Sequence, residues 1–269
     1  MRDEVRIFPL GVWAVSTSGE TTSFLVDAGS TRLMMDVGLN PGHSLAIHSI
    51  PLTTVTHIFL SHSHSDHMQG FANLVFTRDT QQRQYGPAPR LNVIACGADL
   101  GRAQSLLEIF YPERKFDIDW TVVEPCSKID VDAFQMTFFP TEHTVPGLGV
   151  VLAKNSKKLV VYTSDTVACD AVQEAADGAH LLVGECFGMQ HDFGAVAKRM
   201  KHMCAEEMAE LAESAGVLRV MPFHMHTPYT ASDSRAHLIN AIAARFSGEV
   251  IDPVPSRPIE IFLEEVSDD

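Results

Sequence analysis

Three histidines and one aspartate fall close together in the segment FLSHSHSDHMQG, at positions 59–70. They are His62, His64, Asp66 and His67. An apolar run, residues 55–60, precedes them and predicts a buried strand, so these side chains begin where a strand should end and a loop should start. Imidazole nitrogens and carboxylate oxygens are common ligands of divalent transition metals. The segment therefore predicts a metal site.

The order H-x-H-x-D-H indicates two sets of ligands rather than one. In an extended chain, residues two apart point to the same side, so His62, His64 and Asp66 can converge on one point. His67 must then point elsewhere, and a short helix expected over residues 68–76 would turn it toward a second metal about 3.5–4 Å from the first. A single histidine in a loop is usually a surface residue, but that explanation does not account for four such residues in this order.

The segment resembles the signature of the metallo-β-lactamase superfamily, H-x-H-x-D-H, which residues 62–67 match in full. The resemblance implies an α/β fold, a four-layer αββα sandwich in which two mixed sheets face each other, with helices outside and metals at one edge. The order of strand and helix patterns agrees with a layered α/β arrangement, although periodicity alone does not separate it from a doubly wound sheet. The chain of 269 residues, 45% of them hydrophobic, is expected to form a single domain of this type over residues 1–269.

Two further ligands follow from that resemblance, each directly after a predicted strand. His143 follows the apolar run 133–139, at the place where a single histidine completes the first metal's set of three. Asp165 follows the apolar run 158–163, where the superfamily has a carboxylate that bridges both metals. The alternative for Asp165 is that it caps a helix expected over residues 167–176.

The resemblance also assigns a supporting role to Asp36. A β-hairpin is predicted from residues 24–26 and 32–35, with Gly29 in its turn, and it ends in a D-x-G sequence that starts at Asp36. In the superfamily an aspartate at this place lies beneath the metal-binding loop and hydrogen-bonds to it, which orients the histidine ligands. The alternative is an aspartate in an ordinary turn.

The second half of the chain resembles one branch of the superfamily, the ribonuclease Z-like phosphodiesterases. Residues 143–149 read HTVPGLG, and His202 and His224 have the spacing of two histidines in that branch. Between them a helix is expected over residues 202–216 and a strand over 217–221. His224 takes the place of the last ligand of the second metal. His202 matches the histidine that reaches the scissile phosphate and assists departure of the leaving oxygen, and its alternative is a surface histidine at a helix end.

The sequence also departs from that branch. Where the branch has H-x-S-x-R-Y, Tyr229 is matched, but His226 and Pro228 replace the serine and the arginine. His226 is an alternative ligand, because it lies two residues from His224 in a segment expected to be extended. Residues 203–204 are Met and Cys where the branch has a serine or threonine cap, so the helix cap is expected to come from elsewhere.

The resemblance thus implies a dinuclear centre. The first cation is assigned to His62, His64 and His143, the second to Asp66, His67 and His224, with Asp165 between them. Nitrogen and carboxylate ligands without thiolate suit two divalent cations, first of all Zn²⁺ and also Mn²⁺ or Fe. Water between two such cations is deprotonated near pH 7, and the hydroxide would attack a phosphodiester in line. Asp66 would orient it, and a protonated His202 would donate a proton to the leaving oxygen.

Charge and length narrow the substrate class. The formal net charge of −14 opposes non-specific attraction to a polyanion, since Lys and Arg hold phosphate backbones. Residues 150–163 are also too few for the arm with which ribonuclease Z binds the transfer RNA elbow. We therefore expect a small phosphodiester, such as a cyclic nucleotide or an alkyl phosphodiester. The alternatives are a lactone, thioester or β-lactam hydrolase on the same scaffold, a tRNA 3′ processing endonuclease, and a non-enzymatic metal-binding regulator.

The remaining features set the cellular context. The five cysteines are irregularly spaced and include no C-x-x-C pair, which favours reduced thiols. The sequence has no run of about 18 apolar residues and no signal-peptide core, which predicts a cytoplasmic protein that does not enter a membrane. The acidic stretch 264–269 is expected to be a solvated tail. Members of the superfamily are often dimers, so a homodimer is an open alternative.

The other predicted elements contain no pattern of residues that indicates a catalytic or binding role. Strands are expected over residues 91–95, 120–123, 150–153, 181–183 and 258–263, and helices over 98–110 and 231–246. Residues 77–90 are polar, include the sequence YGPAP and show no helix or strand period. They are predicted to be a linker near the mouth of the site.

Overall fold

A computed structural model describes residues 4–15, 19–253 and 257–262, and the strands form two sheets of seven. The first sheet consists, in spatial order, of β14 (Ile259–Phe262), β1 (Glu4–Gly11), β2 (Ser23–Ala28), β3 (Thr31–Met35), β4 (His57–Phe59), β5 (Leu91–Ala95) and β6 (Ile118–Val122). The second consists of β13 (Glu249–Val250), β12 (Arg219–Phe223), β11 (Leu181–Glu185), β10 (Lys157–Tyr162), β9 (Leu148–Lys154), β8 (Phe134–Pro140) and β7 (Lys128–Val131).

Both sheets are mixed, and in each one the strand pairing changes from antiparallel to parallel at a central strand. In the first sheet, β3 pairs antiparallel with β2 and parallel with β4. In the second, β10 pairs antiparallel with β9 and parallel with β11. Parallel neighbours need crossover connections, and these bring helices onto the outer faces of the sheets. The carboxyl ends of the parallel strands therefore meet at one edge of each sheet, where irregular connections begin.

Helices cover the outer face of each sheet. In chain order they are α1 (Pro41–Ile47), α2 (Ser65–Met68), α3 (Phe71–Tyr85), α4 (Gly97–Phe110), α5 (Asp170–Ala176), α6 (Gln190–Met200), α7 (Ala205–Ser214) and α8 (Ser232–Ala243). The apolar faces of α1, α3 and α4 pack on the first sheet. Helices α5, α7 and α8 pack on the second.

Alternate residues of β2 face two different cores. Phe24 and Val26 belong to the core between the sheets, whereas Leu25 belongs to the core under α1, α3 and α4. All three are fully buried, because a strand covered on both faces has no solvent side. Across the inner core, the ring of Phe24 meets that of Tyr162 at 5.0 Å. The layers are therefore helix, sheet, sheet and helix, the αββα sandwich that the resemblance implied.

Several predicted elements are confirmed with small shifts. The predicted hairpin is formed by β2 and β3 and turns at Gly29, whose φ of 78° is easily adopted only by glycine. The strand over 91–95 is β5, and the helix over 98–110 is α4, which starts one residue earlier. The strand expected over 55–60 is shorter, because β4 covers three residues and follows a 3₁₀ helix, Leu52–Thr54.

The prediction of a linker over residues 77–90 is wrong. Helix α3 continues to Tyr85, and only residues 86–90 are irregular before β5. The last two turns of α3 are rich in glutamine and arginine and contain neither glycine nor proline, so helix propensity is high. These turns lie mostly toward solvent and show no apolar period. Gly86, with a φ of 116°, ends the helix.

Two helices lie between β11 and β12 where one was expected. The sequence did not predict α6, and α7 begins at Ala205 rather than at residue 202. The expectation that the cap comes from elsewhere is wrong, because Cys204 caps α7. The Cys204 side chain accepts from the backbone of Glu207, and the Glu207 carboxylate accepts from the backbone N–H of Cys204 at 2.8 Å. His202 therefore lies in the connection between two helices.

Within residues 4–15, 19–253 and 257–262, no helix is long and apolar enough to cross a membrane. The solvated tail predicted over residues 264–269 lies outside the described residues. The last predicted strand is β14, and residue 263 of that prediction also lies outside them.

Candidate metal centre

The segment after β4 brings four polar side chains to the edge of the first sheet. His62 lies in the irregular connection, and His64 is the last extended residue before α2, with φ −63° and ψ 148°. Asp66 and His67 lie on α2 itself. The expected extended geometry through Asp66 is wrong, because the helix begins three residues earlier than predicted. Asp66 consequently falls into a different group of candidate ligands from His62 and His64.

Strand ends of the second sheet add one side chain each. His143 follows β8, Asp165 follows β10 and His224 follows β12. Ser164 and His224, together with Asp36 after β3, have positive φ values of 55°, 59° and 56°. Left-handed backbone is costly for residues other than glycine and is concentrated at functional sites. The chain is thus bent sharply at three strand ends that face the same region.

Four ligand atoms, one each from His62, His64, His143 and Asp165, lie within 4.8 Å of one another. Nδ1 of His64 is 3.1 Å from Nε2 of His143, and Oδ2 of Asp165 is 3.7 Å from Nε2 of His62. Nδ1 of His143 donates to the carbonyl oxygen of Lys201 at 3.0 Å, which fixes the ring and turns its Nε2 toward the group. The structure thus brings together the residues predicted for the first cation.

A second group contains Asp66, His67 and His224. Oδ2 of Asp66 is 3.1 Å from Nε2 of His224. Asp165 lies between the groups, with Oδ1 at 3.2 Å from Nε2 of His67 and Oδ2 at 3.2 Å from Nε2 of His224. The alternative that Asp165 caps a helix is wrong, because Cys169 is the N-cap of α5.

Several buried atoms in these groups form no hydrogen bond of good geometry with the described residues, although Nε2 of His67 lies 3.2 Å from Oδ1 of Asp165. They are Nε2 of His62, Nε2 of His67, Oδ1 of Asp165 and Nδ1 of His224. A buried polar atom without a partner costs about 1–3 kcal/mol. Imidazole and carboxylate lone pairs that face one another suit divalent cations, which would satisfy several of them at once. The donor set therefore fits metal ions, and the cluster is capable of binding them.

Burial and neighbouring charges shift the pKa values of two histidines of the cluster in opposite directions. Burial and the neighbouring His67 hold the pKa of His62 well below its usual value, so its imidazole is neutral. Burial also disfavours charge on His224, but Asp165 and the other neighbouring carboxylates outweigh it and raise the pKa of His224 to about 10. Because a ligand imidazole must be neutral, cation binding at His224 would release that proton.

Asp36 lies beneath the segment of residues 61–67, and its carboxylate accepts four hydrogen bonds, each 2.7 Å long. The donors are the backbone N–H and hydroxyl of Ser61, Nδ1 of His67 and the hydroxyl of Tyr162. The bond to Nδ1 fixes the ring of His67 with its Nε2 directed at Asp165. Asp36 is fully buried, so it is not an ordinary turn residue. Since Tyr162 belongs to the other sheet, Asp36 also ties the two sheets together.

Glu185, the last residue of β11, contacts two histidines of the site, and no pattern in the sequence predicted a role for it. Its Oε1 accepts a hydrogen bond from Nδ1 of His202 and lies 3.4 Å from Nδ1 of His224. Its Oε2 accepts a hydrogen bond from the backbone N–H of Thr166. With Asp165, these residues form a third group of ligand atoms within 4.8 Å. The available signal was a carboxylate at the end of an apolar strand, LLVGE, without any local motif.

His202 and His226 differ in their relation to the groups of candidate ligands. Both rings stack on Phe187, His202 at 4.7 Å and 8° and His226 at 4.8 Å and 12°. His202 is buried, whereas His226 is half-buried and belongs to none of the ligand groups in the described part of the chain. The left-handed backbone of His224 breaks the extended geometry that the alternative assumed. The structure therefore does not bring His226 into the cluster.

The cluster opens into a cavity of about 520 Å³. Its polar lining includes His64, Asp66, His143, Asp165, His202 and His224. Apolar lining comes from Ala14, Val15, Phe187, Val196 and Met200. None of residues 77–90 lines this cavity, so their expected place at the site mouth is wrong. Tyr85 instead lines a separate cavity of about 590 Å³ beside α1 and α3.

Comparison with known proteins gives a consistent result. The family model described as a β-lactamase superfamily domain matches residues 22–225. Ribonuclease Z of Methanosarcina acetivorans is 22% identical over 296 aligned residues, which cover 88% of this chain and 93% of that protein.

Solved structures have the same fold. The metallo-β-lactamase fold protein YhfI from Bacillus subtilis superposes with a TM-score of 0.80 at 23% identity, over 96% of this chain and 100% of that one. A diphosphatase from the PhnP family superposes with a TM-score of 0.75 at 13% identity, over 98% of this chain and 99% of that one. At these sequence identities the structural similarity shows that the fold is shared, and it shows nothing about the function.

Proposed function

The chain belongs to the β-lactamase superfamily and is a metal-dependent hydrolase, and from that premise we propose that it is a dinuclear phosphodiesterase for small substrates. We assign the first cation to His62, His64 and His143, the second to Asp66, His67 and His224, and the bridging position to Asp165. Nitrogen and oxygen donors without thiolate favour Zn²⁺. When bound, two such cations polarise phosphoryl oxygens and make water a stronger nucleophile near pH 7.

Asp66 contributes a buried carboxylate to the lining of the cavity. Burial raises the pKa of this carboxyl, but the hydrogen bond from His224 and the neighbouring histidines outweigh it and hold the pKa well below its usual value. Asp66 is therefore ionised throughout the physiological range. In that state it accepts a hydrogen bond from an attacking water and orients it toward the substrate phosphorus.

His202 supplies the proton for the leaving oxygen. Glu185 accepts the hydrogen bond from Nδ1, which orients the ring and leaves Nε2 as the nitrogen available to the cavity. In the imidazolium form Nε2 also carries a proton, and its transfer to the leaving oxygen leaves a neutral ring whose Nδ1–H still donates to Glu185. The stacked ring of Phe187 limits rotation of the imidazole. Proton donation from a positioned side chain accelerates such a step by about 10²–10⁴-fold. The main observation in support of the proposal is that the buried Glu185–His202 pair lies beside the cluster of candidate metal ligands.

The cavity and the surface charge favour a small diester. A volume of about 520 Å³ is in the range of small-molecule sites. Strands β9 and β10 are joined by only residues 155–156, so no long arm extends between them. The net charge of −14 disfavours an RNA polyanion. The relative from Methanosarcina acetivorans is named ribonuclease Z, and tRNA 3′ processing is thus the competing substrate assignment.

Domain organisation and assembly belong to the same proposal. Both sheets contribute side chains to one cluster, which supports a single domain. The homodimer and the cytoplasmic location remain predictions of the sequence.

The test is hydrolysis of bis(p-nitrophenyl) phosphate by the zinc-loaded chain. We expect steady turnover that EDTA abolishes and that added Zn²⁺ restores. On diesters with an alkyl leaving group, which needs a proton to depart, we expect His202→Ala to reduce turnover strongly. An ester or lactone hydrolase would instead turn over carboxyl esters equally well with and without His202. A metal-binding regulator would hold both cations and hydrolyse neither class, and either result contradicts the proposal.

A further inference from the structure

One positively charged side chain reaches the cavity of the candidate metal centre. Arg199 lies in the last turn of α6, is exposed, and is the only lysine or arginine among the described residues that line the cavity. Its neighbours in the lining, Val196 and Met200, come from the same helix and are apolar. The cavity lining therefore combines one cationic and two apolar side chains from α6 with the histidines and carboxylates of the candidate metal centre.

The end of α6 is held rigidly against the cluster. Lys201 ends the helix with a φ of 55°, and its carbonyl oxygen accepts the hydrogen bond from Nδ1 of His143. The next backbone N–H, that of His202, donates to the carbonyl oxygen of Ala197 at 2.8 Å. A candidate ligand and the candidate general acid are thus both attached to this helix end. The position of Arg199 relative to them is set by backbone hydrogen bonds.

The guanidinium group of Arg199 has no partner among the described residues. Other arginines are paired, for example Arg219 with Glu249 at 2.7 Å and Arg235 with Asp252 at 3.1 Å. An unpaired arginine at a cavity is unusual in a chain with 34 acidic and 20 basic residues. Guanidinium binds carboxylate and phosphate groups with two parallel hydrogen bonds. A free guanidinium beside a phosphodiester site is therefore suited to a second anionic group of the substrate.

We propose that Arg199 selects phosphodiesters that carry a second oxyanion, a carboxylate or a phosphate, on the group that occupies the α6 side of the cavity. This inference rests on the proposed function. The cluster holds the scissile phosphate, and Arg199 holds the second charge. The apolar residues Val15, Val196 and Met200 contact the carbon skeleton between the two charges. The site thereby recognises a dianionic small molecule despite the acidic surface of the protein.

A simpler role for Arg199 needs no substrate. A basic residue in the last turn of a helix interacts favourably with the helix dipole. Lys198 lies one position earlier in the same turn, is exposed and does not line the cavity. Lys198→Gln is therefore the matched control, since it removes the same charge from the same turn but not from the cavity.

The experiment compares three p-nitrophenyl phosphodiesters whose second substituent is 3-hydroxypropyl, 2-carboxyethyl or 3-phosphonopropyl. At physiological ionic strength, charges more than about 8 Å apart are largely screened. We expect the zinc-loaded protein to favour the diesters with a second oxyanion by about 10-fold in kcat/KM, the size of one charge-assisted hydrogen bond. Arg199→Gln should abolish that preference, whereas Lys198→Gln should keep it. Preference for the carboxylate or for the phosphonate identifies the oxyanion.

A binding measurement separates this inference from the proposed function. Calorimetry on the zinc-loaded protein compares 3-phosphonopropionate with propylphosphonate, which lacks the carboxylate. We expect 3-phosphonopropionate to bind about 10-fold more tightly, and we expect this difference to be lost in Arg199→Gln and retained in Lys198→Gln. If no diester is hydrolysed, the phosphodiesterase assignment fails while this comparison still decides the role of Arg199. An equal preference in wild type and Arg199→Gln, or an equal loss in both variants, would overturn the inference.

Discussion

The two halves of the chain build the candidate site in different ways. The first half supplies His62, His64, Asp66 and His67 from one segment after β4. The second half supplies its candidate ligands singly, from the ends of β8, β10 and β12. Spacing along the chain specifies the first group, whereas only the pairing of strands brings the second group together. A short motif therefore marks where a site lies, and long-range topology decides whether it is complete.

The two halves meet at two aspartates. Asp165 lies between both groups of candidate ligands, and Asp36 beneath the loop is bound by Tyr162 from the opposite sheet. If residues 62–67 were sufficient to bind both cations, removing the carboxylate of either aspartate would have little effect on metal binding. The predictions that follow test this dependence.

The largest effect is expected from Asp165→Asn. The amide keeps the shape of the side chain but loses the negative charge that two cations would share, so bound metal should fall from two ions per chain to one or fewer. Loss of one electrostatic contact at a reacting centre lowers kcat by about 10²–10³-fold, and we expect at least that loss. Elemental analysis and diester kinetics measure both changes. Asp170→Asn, at an exposed position in the first turn of α5, is the control, and retention of two ions by Asp165→Asn would mean that the loop suffices.

The next effect separates two histidines that stack on the same ring. His202→Ala should lower kcat by about 10²–10⁴-fold on diesters with alkyl leaving groups and much less on p-nitrophenyl diesters, because nitrophenolate leaves without a proton. His226→Ala, which removes the other ring stacked on Phe187, should change kcat by less than about 3-fold on either class. Equal losses in the two variants, or no dependence on the leaving group, would assign His202 to packing rather than to proton transfer.

A smaller effect is expected from the support beneath the loop. Asp36→Asn places an amide N–H₂ among four donors, so the ring of His67 loses its fixed orientation and zinc affinity should fall by about 10–100-fold. Competition with a chelating dye measures the affinity. Asp27→Asn is the matched control, because Asp27 is also a buried aspartate of the first sheet and pairs with Arg6 and Arg32 instead of the loop. Similar zinc affinity in the two variants would show that the loop is held without Asp36.

The smallest effect lies in the scaffold. Gly29 lies in the turn of the β2–β3 hairpin with a φ of 78°, and a Cβ added there would meet no other atom. The only cost of Gly29→Ala is therefore the strained left-handed backbone conformation. We expect the free energy of unfolding to fall by about 1 kcal/mol, with zinc affinity unchanged. Urea unfolding of the protein after removal of metal with a chelator measures the free energy of unfolding. A loss of metal binding in this variant would mean that the hairpin and the site are mechanically coupled.

Residues in local motifs could be recognised from the sequence. The histidines of residues 62–67 stand at fixed spacing after an apolar strand, and Asp36 follows a hairpin in a D-x-G sequence. Asp165 and His224 required the resemblance to a known family, because each is a single polar residue after a strand. Their arrival in one cluster depends on the parallel pairing of β10, β11 and β12.

Glu185 shows why the rest could not be predicted. It is one glutamate after an apolar strand, and its role arises from register, since it pairs across the sheet with Phe223, the residue before His224. The part of α3 beyond residue 76 and the whole of α6 were not predicted. The end of α3 contains good helix formers but few apolar residues, so amphipathic periodicity gives little signal there. Helix α6 is amphipathic, but it contains Gly194, a poor helix former, and was not recognised. Packing, not spacing, specifies these parts of the molecule.

The central claim is that the two sheets together create two cation sites. Anomalous diffraction from crystals of the zinc-loaded protein, recorded above and below the zinc edge, tests it most directly. We expect two peaks per chain on either side of Asp165, one beside His64 and His143 and one beside His67 and His224. A single peak, or zinc bound away from Asp165, would contradict this account.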